Sequence, residues 1–207
     1  MERGPLICFE GCDKLGKTTL IRSLKDYLER KKISVRVHNF PDRQKFLGQL
    51  IDKYLKNEIQ LSDEDAHELF NCERRATLQR YHTPDKSTVI LDRYVYSGCA
   101  YSAAKGKLTL DWCLKQEKYL PKPDLIYYVK GDIIKASENV KFGQDRFENL
   151  DFQQKVAENF EQLFFPTNEN VHVLDLQKHS FNEIITDVCL TYNENFLNVK
   201  LGPLNYF

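Results

Sequence analysis

A glycine-rich stretch near the amino end of the chain carries the strongest chemical signal. Residues 11–18 read Gly-Cys-Asp-Lys-Leu-Gly-Lys-Thr and match the spacing G-x-x-x-x-G-K-[ST]. The stretch follows an apolar run and precedes a helical pattern, which is the context this motif requires. Glycines allow backbone N–H groups to turn towards phosphate oxygens, and the following helix adds the positive end of its dipole. The sequence therefore predicts a phosphate-binding loop.

The side chains of this loop suit a nucleoside triphosphate. Lys17 is suited to bridge the β- and γ-phosphates, and the hydroxyl of Thr18 to ligate Mg²⁺. The predicted ATP-binding residues of the loop are Gly11, Cys12, Asp13, Lys14, Leu15, Gly16, Lys17, Thr18 and Thr19. The alternative is an ordinary glycine turn before a helix, but the pattern and its context together favour phosphate binding.

Charged residues also follow two other apolar runs. Asp92 and Arg93 come directly after residues 88–91, and Arg43 closely follows residues 35–40. Ligands of parallel sheets bind at the carboxyl ends of the strands. There Asp92 would orient Mg²⁺ through water, and the two arginines would bind a second phosphate through their paired N–H groups. For either arginine alone a surface ion pair would be the simpler explanation.

Apolar and helical patterns alternate along the chain. Candidate strands are residues 6–9, 35–40, 88–91, 125–129 and 171–174. Helical patterns cover residues 17–31, 46–55, 99–105, 110–119 and 181–194, and a further helix capped by Ser62 runs towards residue 81. Such apolar strands separated by helices indicate a parallel sheet covered on both faces. We expect one α/β domain over residues 1–207, a P-loop NTPase fold with a five-stranded parallel sheet and a small lid.

Composition excludes several classes of protein. The 207 residues include 30 basic and 30 acidic side chains, a formal net charge of zero. This balance gives no electrostatic footprint for nucleic acid or an anionic membrane. The cysteines form neither a CxxC pair nor a zinc spacing, which is typical of reduced thiols inside a cell. With no membrane-spanning apolar run and no signal-peptide pattern, we expect a cytoplasmic protein and leave a nuclear pool open.

The loop alone does not distinguish kinases from GTPase switches. A GTPase would need an Asn/Thr-Lys-x-Asp motif at the end of a late strand. The nearest string, Pro-Lys-Pro-Asp at residues 121–124, instead precedes its strand. A non-catalytic nucleotide-binding module would be expected to lose the two arginines at the strand ends. An enzyme with a phosphorylated second substrate is therefore favoured.

Short blocks of sequence occur in a fixed order over most of the chain. They are Phe9-Glu10-Gly11 with the loop, Phe40-Pro41-Asp42-Arg43, Leu69-Phe70 with Arg74, Asp92-Arg93-Tyr94, Ser97-Gly98, Leu110-Asp111-Trp112-Cys113, Leu120-Pro121-Lys122-Pro123-Asp124, Arg146-Phe147-Glu148-Asn149 and Phe152-Gln153. In this order they resemble thymidylate kinases of the animal and poxvirus-like type. The resemblance implies MgATP-dependent phosphorylation of dTMP to dTDP by a homodimer. A kinase for another nucleoside or monophosphate, such as dUMP or dGMP, stays the alternative.

The resemblance also implies an acceptor site. Phe70 would stack on the thymine ring, and Arg74, one helical turn later, would hydrogen-bond the edge of the base. Tyr101 would crowd the 2′ position of the sugar and favour deoxyribose. The implied dTMP-binding residues are Asp13, Phe40, Arg43, Phe70, Arg74, Arg93, Gly98, Tyr101 and Gln153. Among them the arginines at the strand ends would hold the monophosphate, and Asp13 the 3′-hydroxyl.

On the donor side the resemblance implies a lid over ATP at residues 140–149. Its basic side chains are Lys141 and Arg146, and Phe147 has a packing role. Lys14 would add a third cation beside Lys17 and Mg²⁺. The implied catalytic residues are Lys17, Lys14, Asp92, Arg93 and Arg146, and the implied Mg²⁺ contacts are Thr18 and, through water, Asp92. A polar surface loop is the alternative explanation for the lid.

Overall fold

A five-stranded sheet lies at the centre of the computed structural model, which describes residues 3–79, 86–138, 145–165 and 170–207. Its strands are β1 (Leu6–Glu10), β2 (Val35–Asn39), β3 (Thr88–Asp92), β4 (Leu125–Lys130) and β5 (Val171–Asp175). All pairings are parallel, in the order β2-β3-β1-β4-β5. The predicted five-stranded parallel sheet is confirmed. In four strands the ladder extends one residue further than predicted, because backbone pairing continues through a polar residue that an apolar pattern leaves out.

Helices connect and cover these strands. They are α1 (Lys17–Arg30), α2 (Phe46–Leu55), α3 (Asp63–Leu78), α4 (Val95–Ala104), α5 (Leu110–Gln116), α6 (Ile133–Ser137), α7 (Leu150–Phe164) and α8 (Phe181–Phe196). The helix predicted from residue 99 begins four residues earlier, immediately after Arg93 and Tyr94. The predicted extension of α3 to residue 81 ends outside the described residues. No helix in the described ranges is long and apolar enough to cross a membrane.

Local sequence explains where the helices begin and which face they bury. In α1 the predicted stripe of Leu20, Leu24 and Leu28 has no exposed surface. The hydroxyl of Ser62 accepts a hydrogen bond from the backbone N–H of Asp65, which confirms the predicted cap of α3. These helices pack on a sheet whose three central strands, β1, β3 and β4, are almost fully buried, so an apolar core surrounds the sheet. That the whole chain forms a single domain stays a prediction.

The order of the strands determines where a ligand can bind. β1 lies between β3 and β4. The connection from β1 to β2 and the connection from β3 to β4 therefore run in opposite directions along the sheet. Such a switch point leaves a crevice at the carboxyl ends of the strands. The glycine-rich loop follows β1, and Arg93 follows β3. The fold therefore brings the two predicted phosphate-binding elements to the same edge.

The apolar carboxyl-terminal segment packs against the domain. Tyr206 forms an antiparallel bridge with Pro121, and the backbone N–H of Phe207 donates to the carbonyl oxygen of Leu120 at 3.1 Å. The ring of Phe207 lies 5.5 Å from that of Tyr96. The segment therefore packs against the first turn of α4, the helix that follows Arg93.

Candidate active site

The glycine-rich loop joins the end of β1 to the start of α1. Gly11 and Gly16 have positive φ angles of 137° and 82°. A Cβ atom on Gly11 would lie 2.3 Å from the carbonyl oxygen of Val129, and one on Gly16 would lie 2.9 Å from the ring of Phe181. Any other residue would be strained and crowded at either position. Both glycines are therefore needed for the loop to take this path.

Lys17 is held inside the loop. Its ammonium group donates a hydrogen bond to the carbonyl oxygen of Cys12, and the side chain is buried. Burial and then the charge of Arg93 lower the pKa of Lys17 to about 8. Because little water screens it, this cation will interact strongly with an anionic group that enters the loop.

Two oxygen ligands suited to Mg²⁺ meet at the start of α1. Thr18 Oγ1 donates a hydrogen bond to Asp92 Oδ2 at 2.9 Å. Hydroxyl and carboxylate oxygens are the hard ligands that Mg²⁺ prefers, and this ion usually takes its remaining ligands from phosphates and water. Within the described ranges no three His, Cys, Asp or Glu side chains lie close enough to hold a metal by themselves. The pair therefore fits an ion shared between protein and substrate.

A cleft opens beside the loop, between the segments that follow β1, β2 and β3. Its empty space is about 810 Å³ when the open mouth, which is filled by solvent, is counted with it. Eight of the nine residues predicted to bind dTMP line it: Asp13, Phe40, Arg43, Phe70, Arg74, Arg93, Gly98 and Tyr101. Asp13 and Tyr101, 101 − 13 = 88 positions apart in the sequence, thus line the same cavity.

Arg93 connects the cleft to the glycine-rich loop. Its backbone has a positive φ of 65°, unusual for a residue with a side chain. Nη1 donates to the carbonyl oxygen of Gly11 at 2.9 Å and to Ser97 Oγ at 3.2 Å, while Nη2 donates to the carboxylate of Asp13. The guanidinium carbon lies 5.3 Å from the centre of the Tyr101 ring. These contacts fix a cation where the two predicted nucleotide sites meet.

Gln153 is not among the residues that line the cleft, and its role in nucleotide binding stays a prediction. It is buried, and its Oε1 accepts a hydrogen bond from the backbone N–H of Asp13 at 3.0 Å. Its Nε2 donates to Asp13 Oδ2 at 2.8 Å and to the carbonyl oxygen of Phe147 at 3.0 Å. Burial acts to raise the pKa of Asp13, but the charges of Arg93, Lys17 and Lys14 and a hydrogen bond from Tyr101 together outweigh it, so the pKa lies below its ordinary value. Gln153 therefore ties α7 to an ionised carboxylate of the loop.

Arg43 lies at the mouth of the cleft. Its two terminal nitrogens form ion pairs of 2.8 Å with Asp52 of α2 and Asp145. About half of its side chain is exposed, so these pairs are partly screened by water. An arginine in this setting is available to exchange one carboxylate for a phosphate.

Arg74 lies deep in the cleft, on the same face of α3 as Phe70. Only 2% of Arg74 is exposed. Its Nε and Nη2 groups both donate to the carboxylate of Glu117, which is completely buried. A Cβ atom on Gly98 would lie 2.8 Å from Nη2 and 2.9 Å from Nη1. Gly98 is therefore the residue of α4 that leaves room for the guanidinium group.

The lid prediction is only partly within the described residues. Lys141 lies outside them. Lys14 Nζ pairs with the carboxylate of Glu148 at 2.8 Å, so this end of the lid contacts the loop. Arg146 is placed differently: its Nε donates to the carbonyl oxygen of Tyr54 at 3.0 Å, and its guanidinium carbon lies 4.1 Å from the centre of that ring. The structure does not bring Arg146 to the loop, and its catalytic role stays a prediction.

Sequence reasoning gave no role to two buried carboxylates near the cleft. Glu10 has no exposed surface and accepts hydrogen bonds from the backbone N–H groups of Tyr94 and Ser97, at 2.9 and 3.1 Å. It thereby holds the start of α4 behind Arg93. The sequence feature that could have indicated a role for Glu10 is its position as a charged residue at the end of an apolar strand, directly before the loop. Glu117, the partner of Arg74, had no comparable signal in its own segment.

Comparison with known proteins agrees with this geometry. The thymidylate kinase family model matches residues 9–188. The chain belongs to the thymidylate kinase family. Thymidylate kinase of Dictyostelium discoideum is 34% identical over 99% of this chain and 91% of that protein, and the human thymidylate kinase is 34% identical over 85% and 84%. The structure of Candida albicans thymidylate kinase superposes with a TM-score of 0.88 and 30% identity, covering 100% of this chain and 99% of that one. The likeness extends over the strands, the loop and the cleft.

Proposed function

We propose that this kinase transfers the γ-phosphate of ATP to dTMP and forms dTDP and ADP. Membership of the thymidylate kinase family supports this reaction. The observation that carries it furthest is the position of Arg93, whose guanidinium group contacts both the loop at Gly11 and the cleft at Tyr101. A donor phosphate in the loop and an acceptor phosphate in the cleft would meet at this cation.

In the acceptor site the two strand-end arginines bind the monophosphate of dTMP. Arg43 exchanges its pair with Asp145 for a phosphate oxygen, and Arg93 binds from the other side. Phe70 stacks on the thymine ring, and Arg74 donates to the edge of the base. Gly98 leaves room for the arginine that reads the base.

The sugar lies between the loop and α4. Asp13 accepts a hydrogen bond from the 3′-hydroxyl, and Tyr101 crowds the 2′ position. Phe40 closes the cleft where β2 ends. Gln153 acts on this site indirectly, since it holds the carboxylate of Asp13 in place.

In the donor site residues 11–19 wrap the phosphates of ATP, and their backbone N–H groups point inward. Lys17 bridges the β- and γ-phosphates from its buried position. Lys14 turns from Glu148 towards the transferred group, and Lys141 and Arg146 are assigned to the lid. Closure of that lid would keep water from competing as the acceptor.

Thr18 would hold Mg²⁺ through its hydroxyl, and Asp92 would hold it through water. When bound, the ion neutralises negative charge on the β- and γ-phosphates. Lys17 and Arg93 place two further positive charges around the transferred group.

The acceptor needs no strong general base. A phosphate monoester has a second pKa of about 6, so its oxygen is largely ionised at neutral pH. That oxygen forms the new P–O bond as the bond from the γ-phosphorus to the bridging oxygen of ADP breaks. The residues of the site contribute alignment and positive charge.

A coupled assay of ADP release tests the proposal with dTMP, thymidine, dUMP, dGMP, UMP and AMP as acceptors. We expect dTMP to give the highest kcat/KM. The Candida albicans relative is described as having broad substrate specificity, so weaker turnover of other monophosphates is compatible with the proposal. A preference for unphosphorylated thymidine, or ATP binding with no turnover of any monophosphate, would contradict it.

The homodimer and the cytoplasmic location stay predictions. Family members are typically homodimers, and sedimentation of the purified chain at micromolar concentration would measure its mass directly. A mass near 24 kDa, that of one chain, would contradict the dimer.

A further inference from the structure

A buried carboxylate directly after α5 lies behind the part of the cleft that is proposed to bind the base. Glu117 follows the last residue of α5 and has no exposed surface. It faces Arg74 of α3, which is 43 positions away in the sequence. A buried guanidinium group is costly unless it is paired and hydrogen-bonded. In the described part of the chain, Glu117 is the acidic side chain that pairs with it.

The pairing uses one edge of the arginine. Nε donates to Glu117 Oε2 at 3.4 Å, and Nη2 donates to Oε1. This two-point contact fixes both the position and the plane of the guanidinium group. In the described residues no hydrogen bond takes up Nη1 of Arg74. The remaining N–H groups are therefore left for a ligand in the cleft that Arg74 lines.

A buried histidine lies beside the carboxylate. His67 is buried, its Nε2 lies 3.4 Å from Glu117 Oε1, and its Nδ1 lies 2.9 Å from Ser102 Oγ. Burial and then the charge of Arg74 lower the pKa of His67 to about 4, so its ring is neutral at neutral pH. Glu117 thus balances the charge of Arg74 without competition from a second cation at this point.

We infer that Glu117 is a positioning residue that sets the base preference of the cleft by fixing the orientation of Arg74. Arginine has five N–H donors and no acceptor. Held rigidly, it favours a base with a carbonyl oxygen at the contacted position, such as the O4 of thymine or uracil. It opposes cytosine, which presents an amino group there. The inference rests on the proposed function, since it concerns the same acceptor site.

The test compares kcat/KM for dTMP, dUMP and dCMP in the wild type and in Glu117→Gln. The amide keeps the size of the side chain but removes its charge, so Arg74 is no longer held by two charge-assisted bonds. We expect the ratio of kcat/KM for dTMP to kcat/KM for dCMP to fall about tenfold or more, which is the effect typical of losing charge-assisted hydrogen bonds. The fall should come mainly from a higher KM for dTMP. The ratio of dTMP to dUMP and the KM for ATP should not change. The matched control is Asp111→Asn, the same exchange in an exposed ion pair of α5.

A double-mutant cycle separates positioning from general damage. In the Arg74→Met background, Glu117→Gln should change the dTMP to dCMP ratio less than twofold, because the group that it positions is absent. An equal loss in both backgrounds, or a folded Glu117→Gln with the wild-type ratio, would overturn the inference. If Glu117→Gln does not fold, Glu117→Asp takes its place, and an unchanged ratio there overturns it too. A wild type that does not turn over dTMP would instead refute the proposed function.

Discussion

Gly98 offers a sharp test of the cleft, because a single methyl group would disturb one defined contact. In Gly98→Ala the new Cβ would lie 2.8 Å from Nη2 of Arg74. Ordinary contacts begin near 3.4 Å, so the guanidinium group must move by 3.4 − 2.8 = 0.6 Å. Arg74 is held by Glu117, and the movement therefore strains a charge-assisted pair.

The magnitude follows from this displacement. Misplacing a reacting or binding group by 1 Å can cost about 100-fold in rate, so 0.6 Å should lower kcat/KM for dTMP roughly tenfold. Stability should change less, because overpacking costs about 1–3 kcal/mol while alanine in a helix gains about 1 kcal/mol over glycine. We therefore expect a shift of only a few degrees in the melting temperature beside a tenfold loss of kcat/KM.

Steady-state kinetics and thermal unfolding of the same preparation measure both effects. Gly202→Ala is the matched control, because a Cβ there would have no neighbour within 4 Å and its backbone φ is not positive. It should match the wild type in both measurements. A Gly98→Ala enzyme with kcat/KM within twofold of the wild type would refute the placement of Arg74 in the acceptor site.

Three further substitutions test other parts of the structure. Lys17→Met should reduce kcat by orders of magnitude because it removes a charge at the transferred group. The pKa of Lys17 is about 8 in the folded protein and ordinarily 10.5, so between these pH values the folded state binds fewer protons than the unfolded state. The free energy of unfolding of the wild type therefore rises with pH over this range. Denaturant titrations of Lys17→Met should lack this rise. Glu73→Leu removes the acceptor of the backbone N–H of Asp42 and should cost about 1–3 kcal/mol of stability; Glu73→Gln, which keeps an acceptor, should lose less, and equal losses would argue against this bond. Phe207→Ala removes the ring that packs on Tyr96 and should cost about 1–2 kcal/mol without changing KM for dTMP; an unchanged melting temperature would contradict the packing role.

Much of the fold and part of the site were predictable because they depend on local chemistry. The five strands follow from short apolar runs, and the cap at Ser62 follows from a hydroxyl three residues before Asp65. The loop was recognisable because its glycines and Lys17 act through backbone geometry within one segment. Arg93 could be assigned to the sheet edge from its position after a strand.

The placement of side chains between distant segments was not predictable in the same way. Gln153 bonds to Asp13, 140 positions earlier in the chain. Arg146, assigned to the lid, donates to the carbonyl oxygen of Tyr54, 92 positions earlier in the chain. Neither the spacing of residues in the sequence nor its hydrophobic periodicity indicates which polar group a long side chain will contact in the folded protein.

The sequence by itself determined the kind of chemistry: a loop that cradles phosphates, a lysine within it, and arginines at the ends of strands. These features depend on neighbouring residues and on the direction of a parallel sheet. Only the tertiary structure decided which groups support them, such as Glu117 behind Arg74 and Glu10 behind Arg93. A buried charge needs a partner wherever the fold can supply one, and that partner is set by how helices and strands pack rather than by their order in the chain.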